Sequence, residues 1–319
     1  HTVLWLVLSV ALYLRDPRAF RRQKQIARQV TEGNVYVRFR PVDRFCHFLV
    51  IMSFLLLVLT GMPLKFYYTA WAQWMFGWMG GAETAAWLHR LGAMITLLYF
   101  AIHLASLGSA VWRNRARYRD AGGRFRLRRF FGFVFGPDSM MPRWQDFKDF
   151  WAHNKWFFGR GPKPQFDRWT YWEKFDYLAV FWGVAVIGLS GLVMWFPEAV
   201  TRVLPGWLIN VAHIVHSDEA LLAAGFIFTF HFFNVHFRVE KFPMDAVIFS
   251  GRITEEELQH ERGRLYQRLK AAGRLEEERI SDEWPRWKRI FTPIGMIAFL
   301  TGFALMVAIY WAMARRLLE

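Results

Sequence analysis

Five stretches of this chain, at about 45–64, 84–112, 175–197, 208–237 and 290–313, each hold an apolar run of about 18 to 25 residues. In hydrocarbon such a run finds no water for its backbone N–H and C=O groups, so a single segment has to pair them internally, as a helix. Each stretch is bounded by charge or by Pro and Gly, as membrane helices are at their ends. With 54% apolar residues, 17 Trp and 32 Phe, the composition fits the same solvent, Trp at span edges forming an interfacial belt. The fold class expected is an all-α integral membrane bundle, with four helices forming a cofactor-binding core and further spans flanking it. Residues Thr2 to Leu14 are apolar too, but too few to cross a bilayer, and they lack the basic flank of a signal peptide. They read as the tail of a truncated span.

Orientation follows from the basic residues. The 15–44 connection has nine Lys/Arg against three acids, and 113–174 has fifteen against six, whereas 65–83 and 198–207 have one basic residue each. By the positive-inside rule the first two connections are cytoplasmic, and the chain enters from the outside. The 238–289 segment has twelve Lys/Arg and eleven acids and falls inside by alternation. Its centre, Thr254 to Glu283, reads as a charged helix outside the bilayer, opened by a capping box at Thr254-Glu255-Glu256-Glu257. The run Arg124-Phe125-Arg126-Leu127-Arg128-Arg129 is expected to meet anionic lipid headgroups, and nucleic acid is not an expected partner.

Six histidines lie in or at the ends of the spans: His47, His89, His103, His216, His231 and His236. An imidazole in hydrocarbon is costly unless it is bonded, so these need partners or a metal. Two pairs share a spacing, His89-x13-His103 and His216-x14-His231, which on a helix separates the members by about 21 to 23 Å, roughly four turns. Each pair thus reaches from one bilayer face to the other, as two stacked haems with two imidazoles each would require. The single cysteine, Cys46, excludes a thiolate-held iron–sulfur cluster, a disulfide and C-x-x-C-H haem attachment within the chain. The plainer alternative is a set of histidines hydrogen-bonded between helices.

With the topology above, His89 and His216 lie near the outer face and are the simplest outer pair, His213 being a substitute one turn earlier. His47, His103, His231 and His236 lie near the inner face. His231 and His236 are five residues apart, about 140° around an α-helix, so they do not both face one porphyrin. The inner pair is therefore His231 or His236 with His47 or His103, helix periodicity favouring His103. A third haem on the spare inner histidines is the variant.

Val42-Asp43-Arg44-Phe45-Cys46-His47-Phe48, running into a span that ends Leu59-Thr60-Gly61, resembles the first span of the cytochrome b (gamma) subunit of membrane-bound formate dehydrogenases. That family also takes in the cytochrome b of thiosulfate reductases and of nickel–iron hydrogenases. Leu88-His89-Arg90-Leu91-Gly92 is similar to its second span, and Tyr171-Trp172-Glu173-Lys174-Phe175-Asp176-Tyr177 to the approach to its third; the likeness covers about 38–245. The resemblance implies an outer haem on His89 and His216 and an inner one on His47 with His231 or His236. It also implies menaquinone or ubiquinone beside the inner haem, a periplasmic redox subunit such as an iron–sulfur protein, and a bacterial inner membrane. This chain departs from the pattern by His103, by four histidines on its penultimate span, by the partial first span and by the span at 290–313.

The organisation expected is a partial span and linker (1–37), a four-span di-haem core (38–245), a charged helical segment (246–289) and a last span (290–319). Gly92, Gly183, Gly188, Gly191 and Gly225 are candidates for positions where a porphyrin lies against a helix, close helix packing being the plainer role. The 125–172 connection, rich in Trp, reads as a surface-lying lid over a quinone site, with Asp146, Lys148 and His153 as its polar groups. His153 is a candidate proton relay there, the plainer reading being a solvated interfacial histidine. Asp218 and Glu219, within a turn of His216, are either proton-exchanging groups at an outer pocket or headgroup-layer carboxylates. The function expected is electron relay, as a subunit of a quinone-linked oxidoreductase, between an outer partner and the quinone pool. A chain entering from outside suggests a multihaem cytochrome c upstream. The competing class is a transporter or channel using intramembrane histidines, which would hold them at the midplane rather than near the two faces.

Overall fold

The computed structural model describes residues 2–15, 34–238, 241, 244–280 and 285–318. Residues 16–33, most of the 15–44 connection, lie outside the described residues. Helix accounts for 76% of the described residues, and five helices among them are long and apolar enough to cross a membrane. The protein is an all-α, multi-pass membrane bundle.

In chain order the longer helices are α1 (Thr2–Arg15), α2 (Pro41–Lys65), α3 (Ala70–Met79), α4 (Ala82–Arg113), α5 (Leu127–Val134), α6 (Trp144–Phe157), α7 (Tyr171–Trp195), α8 (Trp207–Phe226), α9 (Glu255–Glu261), α10 (Gly263–Ala271) and α11 (Pro285–Leu318). The spans are α2, α4, α7, α8 with its continuation to Phe237, and the Pro293–Arg315 part of α11. Pro41 opens α2, where its missing N–H costs nothing, and the Asp43 carboxylate accepts from Arg40 N at 3.1 Å. Beyond Phe226 the fourth span changes winding: Ile227–His231 and Phe233–Phe237 are π-helical. A π turn takes in an extra residue, so the α-helical angle of 140° between His231 and His236 does not describe this end of the span.

The chain forms two compact units. One comprises Phe45–Ile102, Leu178–Phe232 and Ile294–Glu319. Its interior is apolar: Val58, Met62, Phe66, Met75, Ala224, Phe228, Leu305, Ile309 and Ala312 are buried together. Gly302 is what lets the last span close on this core, because a Cβ there would sit 2.6 Å from the rings of both Phe228 and Phe232. Leu97, Leu98, Trp182, Leu189, Leu222 and Ile297 remain exposed on the unit, which suits a molecule whose solvent is lipid.

The other unit comprises His1–Arg44, His103–Tyr177 and Phe233–Pro293. Its small antiparallel sheet, order β2-β1-β3, joins β1 (Val35–Val37), β2 (Arg252–Thr254) and β3 (Arg279–Ile280), with Tyr36 opposite Ile253. Tyr36 anchors a core with Val247, Ile253, Leu258, Leu265 and Tyr266. The Thr254 side chain caps α9 by accepting from Glu257 N at 3.3 Å. The single charged helix expected from Thr254 to Glu283 is instead two short ones. They part at Arg262 (φ −130°), next to Gly263, which lies so close to Gln165 that a Cβ would clash with its side chain. Residues 281–283, the end of that expected helix, lie outside the described residues.

Candidate histidine pairs in the membrane unit

Four of the six span histidines belong to the apolar unit, and they form two pairs. The rings of His89 and His216 have centroids 6.1 Å apart at 71°, and those of His47 and His231 are 6.5 Å apart at 41°. Two imidazoles bound on opposite sides of one metal ion each put a nitrogen about 2 Å from it, so their ring centres fall roughly 6 Å apart. Both pairs have that spacing.

The His89–His216 pair is also fixed in tautomer. His89 Nδ1 lies 2.9 Å from Thr60 Oγ1, whose own hydrogen is directed to Leu56 O at 2.7 Å. The hydroxyl therefore accepts from His89, which carries its proton on Nδ1. His216 Nδ1 lies 2.9 Å from Ile187 O, and a carbonyl only accepts, so that proton is on Nδ1 as well. Each ring is left with an Nε2 lone pair, the state in which imidazole binds a metal.

The same local device seats both rings. Thr60 is followed by Gly61, where a Cβ would lie 3.0 Å from His89 Cε1; Ser190 is followed by Gly191, where a Cβ would lie 3.0 Å from His216 Cε1. The hydroxyls turn back on their own helices, Ser190 Oγ donating to Val186 O at 2.6 Å, and the glycines leave room for the imidazoles. Of the glycines singled out in the sequence, Gly191 alone touches a histidine. Gly92 packs on Leu57, and Gly188 and Gly225 face open space. Gly61 was not among them; its place one residue after a span hydroxyl, matching Gly191, is the signal that marks it.

His103 and His236 belong to the charged unit. His103 Nε2 is 2.9 Å from Tyr177 Oη, and His236 is buried in the second π-helical turn. His213 is exposed on α8. Asp218 pairs with Lys65 Nζ at 2.7 Å, so its charge is met by the last turn of α2. Glu219 is half-buried.

The polar groups of the 125–172 connection meet three different surroundings. Asp146 accepts from Arg143 N at 2.7 Å and pairs with Lys174 at 2.9 Å, while Lys148 is exposed. His153 is fully buried, which corrects its reading as a solvated interfacial residue. It stacks on Phe157 at 4.6 Å, meets the edge of Trp5 at 5.0 Å, and lies 2.9 Å by Nδ1 from Tyr171 Oη. Burial, with Lys163 and Arg238 adding to it, pushes its pKa down to about 3. It is neutral at physiological pH.

Among the described residues, no three His, Cys, Asp or Glu side chains gather as they would around a metal bound by protein alone. A porphyrin iron needs only two protein ligands, which is what each histidine pair offers. No protein-family model matches the chain, and no curated protein matches its sequence.

Proposed function

We propose that the chain is a membrane cytochrome b subunit that relays electrons between a redox partner on the outer face and the quinone pool of a bacterial inner membrane. Two b-type haems fit it, one between His89 and His216 and one between His47 and His231. The observation that carries this reading is the outer pair: two imidazoles at a two-ligand spacing, each with Nδ1 committed to the protein and Nε2 left for iron. A haem held there supplies one-electron transfer. The chain's residues hold the rings in register. His216 and His231 are fifteen residues apart on one continuous span, roughly 20 Å, so the pairs serve opposite ends of it. The resemblance of the His47, His89 and Tyr171 segments to cytochrome b (gamma) subunits supports the same reading. A transporter would gather its polar groups at one depth.

A pyridine haemochrome spectrum of the purified protein tests this, with two b-type haems per chain as the expected count. No haem after expression with ample haem supply would overturn it.

For the quinone, we favour His103 with Tyr177, an imidazole and a phenol 2.9 Å apart and both half-buried, over Asp146, Lys148 and His153. His103→Leu is expected to keep both haems while slowing quinol-linked haem reduction by at least about tenfold, a loss typical of a group that moves or holds a proton. Loss of a haem in that variant would instead make His103 an axial ligand.

A further inference from the structure

The segment that follows α4 carries both exposed aromatic surface and uncommitted positive charge. Arg119 and Phe125 are bridged across a tight turn, and α5 follows directly. On α5, Phe130 and Phe133 turn inward and pack on the buried Tyr118, with ring centroids 5.4 and 5.9 Å away. Leu127 and Phe131, one turn apart on the neighbouring side, stay exposed, as do Phe125 and Phe135.

The arginines divide as well. Arg126 pairs with Asp120 at 2.7 Å, Arg129 donates to Arg119 O, and Arg115 donates to Trp112 O at 3.1 Å. Arg117, Arg119, Arg124 and Arg128 are exposed, and their guanidiniums meet no carboxylate among the described residues. Of the basic run only Arg126 is neutralised by a carboxylate among the described residues; Arg115 and Arg129 are tied to carbonyls and stay charged, while Arg117, Arg119, Arg124 and Arg128 are the ones left to reach outward. Just upstream, the membrane-crossing α4 ends at the exposed Trp112 and Arg113.

Large apolar side chains beside unpaired guanidiniums suit one solvent, the boundary where acyl chains meet headgroups. We propose that residues 115–135 form a surface-lying anchor for anionic phospholipid. Arg117, Arg119, Arg124 and Arg128 bind the headgroup phosphates, and Leu127 and Phe131 enter the acyl boundary. Net charge selects the lipid, because arginines that no carboxylate neutralises gain from an anionic surface and not from a zwitterionic one.

The test is amide hydrogen exchange over 125–135 in the full chain, reconstituted in nanodiscs of phosphatidylcholine alone or mixed with phosphatidylglycerol. Exchange is expected to be about tenfold slower in the anionic discs, with the difference shrinking at high salt. The double variant Arg124→Glu/Arg128→Glu should lose the difference between lipids while keeping its insertion and helix content. Leu127→Ser/Phe131→Ser should lose protection in the anionic discs. Equal exchange of the unaltered chain in the two lipids would overturn the proposal. Protection in neutral discs that rises with protein concentration would also overturn it, and would assign the face to a second copy of the chain.

Discussion

His89→Ala and His216→Ala are each expected to remove one haem per chain, and to remove the same one. If the two imidazoles serve one iron, loss of either leaves a five-coordinate haem whose remaining ligand is a single histidine in an apolar site, and retention through purification fails. Both variants should lose the same component of the reduced spectrum, and the chain should still insert, because its spans are set by hydrophobicity and not by these rings. Thr60→Val is the milder companion. It deletes the acceptor that holds His89 Nδ1–H at 2.9 Å, and outer-shell losses of this kind cost about 10–100-fold in metal affinity. It should release haem during dilution while His89→Ala never holds it. Full haem content in either alanine variant would break the outer pairing, and unequal spectral losses would assign the two histidines to different sites.

The spans and the histidine pairing differ in how far the sequence shows them. Hydrocarbon imposes one demand on every span residue, so a hydropathy run suffices to locate α2, α4, α7, α8 and the last span, with ends shifting by a few residues. The pairing of His89 with His216 follows from topology and depth. Topology and depth do not separate His47 from His103, because the same expected topology puts both at the same face, and helix period favours His103. His103 shares the His89 face of α4, which is α-helical throughout; it is the angle of about 140° between His231 and His236 that assumes α winding where it does not hold. The π turns at 227–231 and 233–237 change the face on which His231 and His236 emerge, and nothing in Phe226 to Phe237 announces them. In the structure His231 meets His47, while His103 meets Tyr177. The sheet was illegible for another reason: strands of two or three residues, such as Val35–Val37, are too short to show a period of two. The burial of His153 was hidden because its aromatic cage comes from Trp5, Phe157, Phe166 and Trp172, dispersed along the sequence. The balanced charges of 238–289 looked like a solvated surface. In the structure several of them are an interior.

At the centre of that interior is Lys241, buried, with Asp245 and Glu261 each 3.1 Å from its ammonium and Glu257 also in contact. Arg238 approaches Glu261 at 3.7 Å. Burial alone would push the Lys241 pKa down, but Asp245, Glu257 and Glu261 together hold it well above the usual lysine value. Burial likewise works against the Glu261 carboxylate, and Lys241, Arg238 and Arg262 outweigh it and keep it below its usual range. Glu257 goes the other way: burial raises it, and Lys241 does not fully compensate. Lys241→Met keeps the volume of the side chain and removes the charge, leaving three acids around an apolar group. Breaking a buried pair from one side costs about 3–5 kcal/mol, so the charged unit should unfold far more readily, as pulse proteolysis of the full chain in detergent would show. The pH dependence has a definite sign. Acids whose folded pKa values are raised bind protons more tightly in the folded chain, so the variant's deficit should shrink as pH falls from about 8 toward 5. Glu257→Gln in the Lys241→Met background should recover part of the loss by removing the acid that is already the least well compensated, whereas Lys241→Arg should retain most of the stability. A cost for Lys241→Met below about 1 kcal/mol, with no pH dependence, is what a solvated surface pair gives, and it would mean that this network does not hold the unit together.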